Sequence, residues 1–148
     1  MNSLNAIKSS ASGLSAERLR MDVISSNIAN AQTTRTAKGG PYRRQVVLLA
    51  PQKEQNSFQN ILQNTLRKQA PYSGVKVAAI VEDQAPLKRV YDPTHPDAGE
   101  DGYVVYPNVD VMTEMVELIT ASRSYEANVT VLNATKSMLL KTLEIGRS

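Results

Sequence analysis

Apolar residues recur every three or four positions at both ends of this 148-residue chain, from Leu4 to Ile28 and again from Val111 to Leu143. That spacing belongs to long amphipathic helices packed along a seam. Two such segments at opposite ends of one chain bring its termini together as a coiled-coil stalk and leave the residues between them as an insertion. The expected fold class is therefore α+β. Stalk helices fall in residues 1–34 and 108–148, and a small β-rich domain with a short helix near 55–69 fills residues 35–107.

The first stripe runs through Leu4, Ile7, Ala11, Leu14, Met21 and Ile28, interrupted by Arg18 and Ser25. At 1.5 Å per residue it describes a helix roughly 40 Å long. Ser9, Ser10, Ser12, Gly13, Ser15, Ser25 and Ser26 weaken it, because serine competes for backbone hydrogen bonds and glycine adds chain entropy. Asn30, Thr33 and Thr34 supply an end, and a loop continues through Gly39-Gly40-Pro41. The last stripe is Val111, Met115, Leu118, Tyr125, Val129, Leu132, Leu139 and Leu143, broken by Ser122 and Lys136. Asn108 or Asp110 can cap it, and Gly146 stands where a left-handed cap is usual. Asn128-Val129-Thr130-Val131 lowers its intrinsic propensity, so both helices depend on packing. Two readings stay open: a monomeric helical hairpin, or segments that order only when stacked on copies or partners. The second gives fast amide exchange in residues 1–30 and 115–148 of a dilute monomer.

Six of the seven aromatic residues lie between these ends, at Tyr42, Phe58, Tyr72, Tyr91, Tyr103 and Tyr106, which puts the large core-forming side chains in the middle. Residues 42–50 read as a strand closed by Pro51. Phe58, Ile61, Leu62 and Leu66 share one face of a short helix before Pro71. Residues 75–81, 87–91 and 102–106 are β-prone runs separated by Pro86, Pro93, Pro96 and Gly99, giving three or four strands in a small antiparallel sheet or open barrel.

Several functional classes lose support at this level. The net charge of +3 is small and dispersed for a nucleic-acid binder. One basic run stands out: no acid occurs between Asp22 and Glu54, while Arg35, Lys38, Arg43, Arg44 and Lys53 do. With Tyr42 alone interleaved, it reads as a solvated loop or subunit contact. The absence of cysteine removes disulfides and thiolate metal sites. The first residues lack the basic and apolar regions of a cleavable signal, and no apolar run reaches a membrane span, so neither signal cleavage nor membrane insertion is expected.

The single histidine, His95, lies in a proline-flanked acidic stretch whose spacing matches neither calcium loops nor paired-histidine zinc sites. Glu114 and Glu117 share the first turns of a helix, where acids favour the dipole without any catalytic role. Phosphate-binding glycine loops and nucleophile elbows are missing, and the sequons at Asn128 and Asn133 fall inside the expected helix. No cofactor, metal or catalytic residue is assigned.

Longer strings carry more. Ser26-Asn27-Ile28-Ala29-Asn30-Ala31-Gln32-Thr33 resembles the motif that closes the N-terminal helix in the bacterial flagellar rod and hook family. Residues 107–116 (PNVDVMTEMV) and 121–128 (ASRSYEAN) resemble that family's C-terminal signature. Residues 39–44 (GGPYRR) and 136–143 (KSMLLKTL) resemble one branch of it, and the likeness spans about three quarters of the chain. Residues 55–69 look longer than the corresponding part of the shortest family members.

The resemblance implies a structural subunit of the rod, the drive shaft that transmits torque from the basal body through the periplasmic space and cell wall. It further implies terminal helices lining an inner tube, an outward middle domain, and export by the flagellar type III apparatus without a cleaved signal. Its partners would be other rod proteins and the ring-adaptor protein at the rod base. Leu4, Ile7, Leu14, Met21 and Ile28 would then pack with Met115, Leu118, Tyr125, Val129, Leu132 and Leu139 at the assembly interface, joined by Asn30 and by Arg123 and Glu126, which can pair within the helix or bridge subunits. The rival is a free-standing coiled-coil adaptor for one partner helix, which would form a discrete complex where a rod subunit enters a helical tube.

Overall fold

The structure, a computed structural model, describes residues 3–53 and 72–146. Helix α1 spans Ser3–Ala29 and helix α2 spans Val111–Ile145. Between them come strands β1 (Gln45–Lys53), β2 (Tyr72–Glu82), β3 (Lys88–Tyr91) and β4 (Tyr103–Tyr106). Both terminal helices and an intervening β region match the α+β expectation. The helix expected near residues 55–69 lies outside the described residues.

Local chemistry accounts for the helix ends. Asn30 closes α1 twice, donating from its backbone N–H (3.1 Å) and from Nδ2 (2.9 Å) to Ser26 O, while its Oδ1 accepts the Thr33 hydroxyl. Asp110, and not Asn108, caps α2. Its Oδ1 accepts the Met112 N–H at 3.1 Å, its Oδ2 accepts the Thr113 hydroxyl at 2.9 Å, and its carbonyl takes the first helical bond from Glu114 N. The Thr113 hydroxyl, then the Met112 N–H, holds the Asp110 carboxyl below the usual carboxylate range. At the far end Gly146 N–H donates to Thr142 O at 3.1 Å in ordinary helical register. The described glycines with positive φ are Gly39, Gly40, Gly74 and Gly102, so the left-handed cap expected at Gly146 is not the device that stops α2.

Two corrections concern the sheet. The β region forms two separate two-stranded sheets, β1 with β2 and β3 with β4, in place of one sheet or an open barrel. In the second, antiparallel register sets Lys88 opposite Tyr106 and Tyr91 opposite Tyr103. β1 also runs through Pro51 to Lys53, where a stop at residue 50 was expected. A two-stranded ribbon consists only of edges, and an edge tolerates a residue without an N–H.

The chain divides into two compact units. One comprises Met1–Glu17, Leu49–Ala78 and Arg123–Ser148; the other comprises Arg18–Leu48 and Ala79–Ser122. In the first, Gly13 of α1 approaches α2 so closely that a Cβ there would stand 3.1 Å from Asn128 Nδ2. Ser12 Oγ accepts the Val75 N–H at 3.1 Å, and Gly74, at φ +123°, leaves room for that hydroxyl. Small residues therefore bring backbones together, as the serine and glycine content of α1 allows.

In the second unit, Val23, Ile24, Val104 and Ala121 are the buried apolar residues among those described. The α1 face that is most buried carries Ser10, Ala16, Val23, Ile24 and Asn27, whereas Ile7, Leu14, Met21 and Ile28 are half-buried and Ala11 is exposed. Each helical residue turns about 100°, so the deepest face stands roughly a third of a turn from the stripe read in the sequence. On α2 the innermost positions are Glu114, Ala121 and Thr135, with Leu118, Tyr125, Leu132 and Leu139 half-buried beside them. Both sets repeat every seven residues, but the inner one is small or polar.

Candidate functional site

The most constrained chemistry in the chain is a polar junction inside the second unit, where the last turn of α1, the entry to β1 and the first turn of α2 meet. Asn27 is 1% exposed and uses its whole amide. Its Nδ2 donates to Gln45 O and to Glu114 Oε2, each at 2.9 Å, and its Oδ1 accepts the Gln45 N–H and the Tyr42 hydroxyl, each also at 2.9 Å. Two donors and two acceptor sites are the full capacity of an amide, so no polar atom is left over.

Glu114 is wholly buried, at 0% exposure, and its second oxygen accepts from Arg44 Nε at 2.6 Å. Arg44 continues outward, donating from Nη2 to Glu117 Oε1 at 2.9 Å and approaching Asp83 Oδ2 at 3.6 Å. Arg20 of α1 reaches the other Glu117 oxygen at 3.8 Å. Arg44 is also held through its backbone: its N–H donates to Asn108 Oδ1 and its carbonyl accepts the Asp83 N–H. Asn108, free of capping duty, donates to Asp83 O and Ala85 O.

Burial works against the Arg44 charge. The hydrogen bond to Glu114 and the attraction of Glu114 and Glu117 outweigh it, and the guanidinium is held above its ordinary pKa. A buried carboxylate is tolerable only when paired and hydrogen-bonded, and Glu114 meets both conditions. Such an arrangement clamps three segments distant in sequence. It offers neither a nucleophile nor a proton donor poised over a cleft, and among the described residues no group of three or more His, Asp or Glu side chains could hold a metal ion.

The interface residues expected from the sequence are distributed differently. Leu4 lies in α1, with its side chain outside the described residues. Ile7 and Leu14 in the first unit, and Met21 and Ile28 in the second, are half-buried. Met115 is exposed and Leu118 half-buried in the second unit; Tyr125, Val129, Leu132 and Leu139 are half-buried in the first. Arg123 and Glu126 are exposed. Asn30 serves the helix end described above. The junction goes beyond what the sequence predicts: there the basic run containing Arg44 reads as a solvated loop or subunit contact, and Glu114 as an acid favoured by the helix dipole. The available signal was the quoted strings, since Asn27, Arg44 and Glu114 each belong to one of them.

Two family models match two of the three segments that build this junction, the end of α1 and the start of α2. The C-terminal family of flagellar basal-body rod FlgEFG proteins matches residues 100–145, and the flagella basal-body rod protein family matches residues 7–35. The flagellar basal-body rod protein FlgC of Bacillus subtilis is 49% identical over 152 residues, spanning 99% of this chain and all of the relative. Those of Borreliella burgdorferi and Escherichia coli are 46% and 44% identical, and each alignment spans at least 97% of this chain and 98% of the relative. The chain belongs to the FlgC family of flagellar basal-body rod proteins. In this chain the junction joins the string closing the first helix to the string opening the last: Asn27 of one donates to Glu114 of the other. No described helix is long and apolar enough to cross a membrane.

Proposed function

We propose that this chain is a non-enzymatic structural subunit of the proximal rod of the bacterial flagellar basal body, part of the drive shaft that transmits torque. Residues 1–34 and 108–148 form the assembling stalk, and residues 35–107 form the outward domain. The subunit reaches the rod by type III export without signal cleavage and joins other rod proteins and the ring adaptor at the rod base. Leu4, Ile7, Leu14, Met21, Ile28, Met115, Leu118, Tyr125, Val129, Leu132 and Leu139 contribute to the packing, with Asn30 and the exposed Arg123 and Glu126 at its polar margins.

One observation carries this reading. Helix α2 has Glu114 at 0% exposure while Met112, two residues away, is 72% exposed, and Val116, Ile119, Met138, Leu140 and Leu143 are exposed as well. A helix that keeps polar groups inside and large apolar ones outside presents surface for other chains to cover. Membership of the rod family favours a repeating assembly over the free-standing adaptor. The test uses cells whose only copy carries Leu14→Glu or Leu132→Glu. Swimming is expected to be lost with the variant still produced, and normal swimming overturns the proposal.

A further inference from the structure

His95 is the single histidine of the chain, and the turn between β3 and β4 is folded around it. Its backbone N–H donates to Asp92 O at 3.3 Å, and its carbonyl accepts the Ala98 N–H at 3.0 Å. Its Nδ1 accepts the Asp97 N–H at 3.1 Å, and its half-buried ring meets the Tyr106 ring edge-on with centroids 6.2 Å apart. Only a neutral imidazole with its proton on Nε2 can accept at Nδ1. The closed turn therefore disfavours the imidazolium, because protonation sets a second N–H donor against that of Asp97.

Asp97 also ties this turn to the rest of its unit. Its Oδ2 accepts the Thr34 hydroxyl at 2.7 Å across 63 positions of sequence, so the segment after α1 is fastened to the hairpin through the residue whose N–H His95 holds. Other bonds close the hairpin without the ring: Asp92 N–H donates to Gly102 O, and Gly99 N–H to Tyr103 O, each at 3.0 Å. Loss of the Nδ1 contact thus frees the corner at Asp97 while β3 and β4 stay paired.

We infer that His95 is a pH-sensitive latch: neutral, it fixes Asp97 for its bond with Thr34; protonated, it releases Asp97 and with it the tie to the segment after α1. The closed turn takes up a proton at His95 less readily than the open one, so acidification favours opening; histidine changes charge between about pH 5 and 8. Among the charged groups around the ring, Asp92 is held below the usual carboxylate range by the Thr94 hydroxyl and N–H and, less, by the charge of His95. Glu100 and Asp101 follow in the same loop. These carboxylates and that of Asp97 travel with His95 and attract the imidazolium in the open and the closed turn alike, so they leave the direction unchanged. From neighbouring elements, Lys88 stands opposite Tyr106 in register and Arg35 adjoins Thr34; as cations they disfavour a charged ring while the turn is closed. The latch is a property of the chain by itself and is independent of the rod-subunit reading. Under that reading it lies in the outward domain, which meets whatever pH surrounds the assembled rod.

Nuclear magnetic resonance of the full chain, titrated from about pH 8 to 5, tests the latch. The carbon-bound ring protons of His95 report its charge, and cross-peaks between Thr34 and Asp97 report the tie. As the ring becomes charged, protection of the Asp97 amide, corrected for the intrinsic pH dependence of exchange, should fall about fivefold, the worth of one hydrogen bond, and the cross-peaks should weaken in step. His95→Asn is the control: its side-chain oxygen can accept an N–H two residues on, as Asp92 does from Thr94 at 3.1 Å in the same turn, and it carries no titrating proton. This variant should keep the cross-peaks across the whole range. His95→Phe, without an acceptor, should lack them throughout, and His95→Ala replaces it where circular dichroism shows that the phenyl ring disturbs the fold. A wild-type contact that persists unchanged once the ring is charged overturns the latch. So does a His95→Asn chain that loses the contact on acidification as the wild type does, or a variant without an acceptor that keeps it.

Discussion

Replacing Arg44 by alanine removes the cation bonded to Glu114, a carboxylate that water does not reach. Glu114 would keep the Asn27 amide at 2.9 Å and lose the 2.6 Å bond from Arg44 Nε. Breaking a buried pair by deleting one partner costs about 3–5 kcal/mol, chiefly because the remaining charge is stranded. The partly exposed contacts to Glu117 and Asp83 add little to this. A loss of that size is a large share of the total for a domain stable by about 5–15 kcal/mol. In urea, with a slope of about 2 kcal/mol per molar, the midpoint should fall by about 2 M. Far-UV circular dichroism gives that midpoint. The double variant Arg44→Met with Glu114→Met strands no charge and should recover at least half of the loss. A loss below about 1 kcal/mol for Arg44→Ala, or a double variant no more stable than the single one, refutes the clamp.

Three further outcomes follow from the same geometry. Asn27→Asp keeps the size of the side chain but replaces its donor by an oxygen facing Glu114 Oε2, and should cost about 3 kcal/mol in the same titration. Gly74→Ala places a methyl group against Ser12 Oγ at a φ of +123° and should destabilise by more than about 1 kcal/mol, with Ser12→Gly recovering only part, since the backbone strain remains. The Asp110 cap should be sensitive to acid: its carboxyl is held below the usual range, so its contribution is complete above the unfolded pKa of about 4 and disappears as pH falls through the lower folded value. Amide exchange at Met112 and Thr113 should therefore accelerate on acidification and become insensitive to it in Asp110→Ala.

The two helices were legible because a period near 3.5 residues survives any packing arrangement, and their ends because Asn30 and Asp110 act through bonds to residues two to four positions away. The deepest face of α1 was not legible. Leu14, Met21 and Ile28 mark where apolar atoms lie, whereas Asn27 and Ser10 are buried because of what stands opposite them. Pro51 likewise reads as a strand breaker until the ribbon is seen to have only edges.

The sequence alone settled much of what depends on neighbours along the chain: helical period, the Asn30 end of the first helix, the aromatic-rich middle, and the strings that resemble its family, though not which of Asn108 and Asp110 caps the last helix. Tertiary structure alone decided the partners of Arg44, which in the linear chain is one cation among several without an acid nearby. Glu114 lies 70 positions away, and that separation is invisible to local chemistry because the energy of a buried ion pair depends on distance and solvent exclusion, neither of which a one-dimensional string contains.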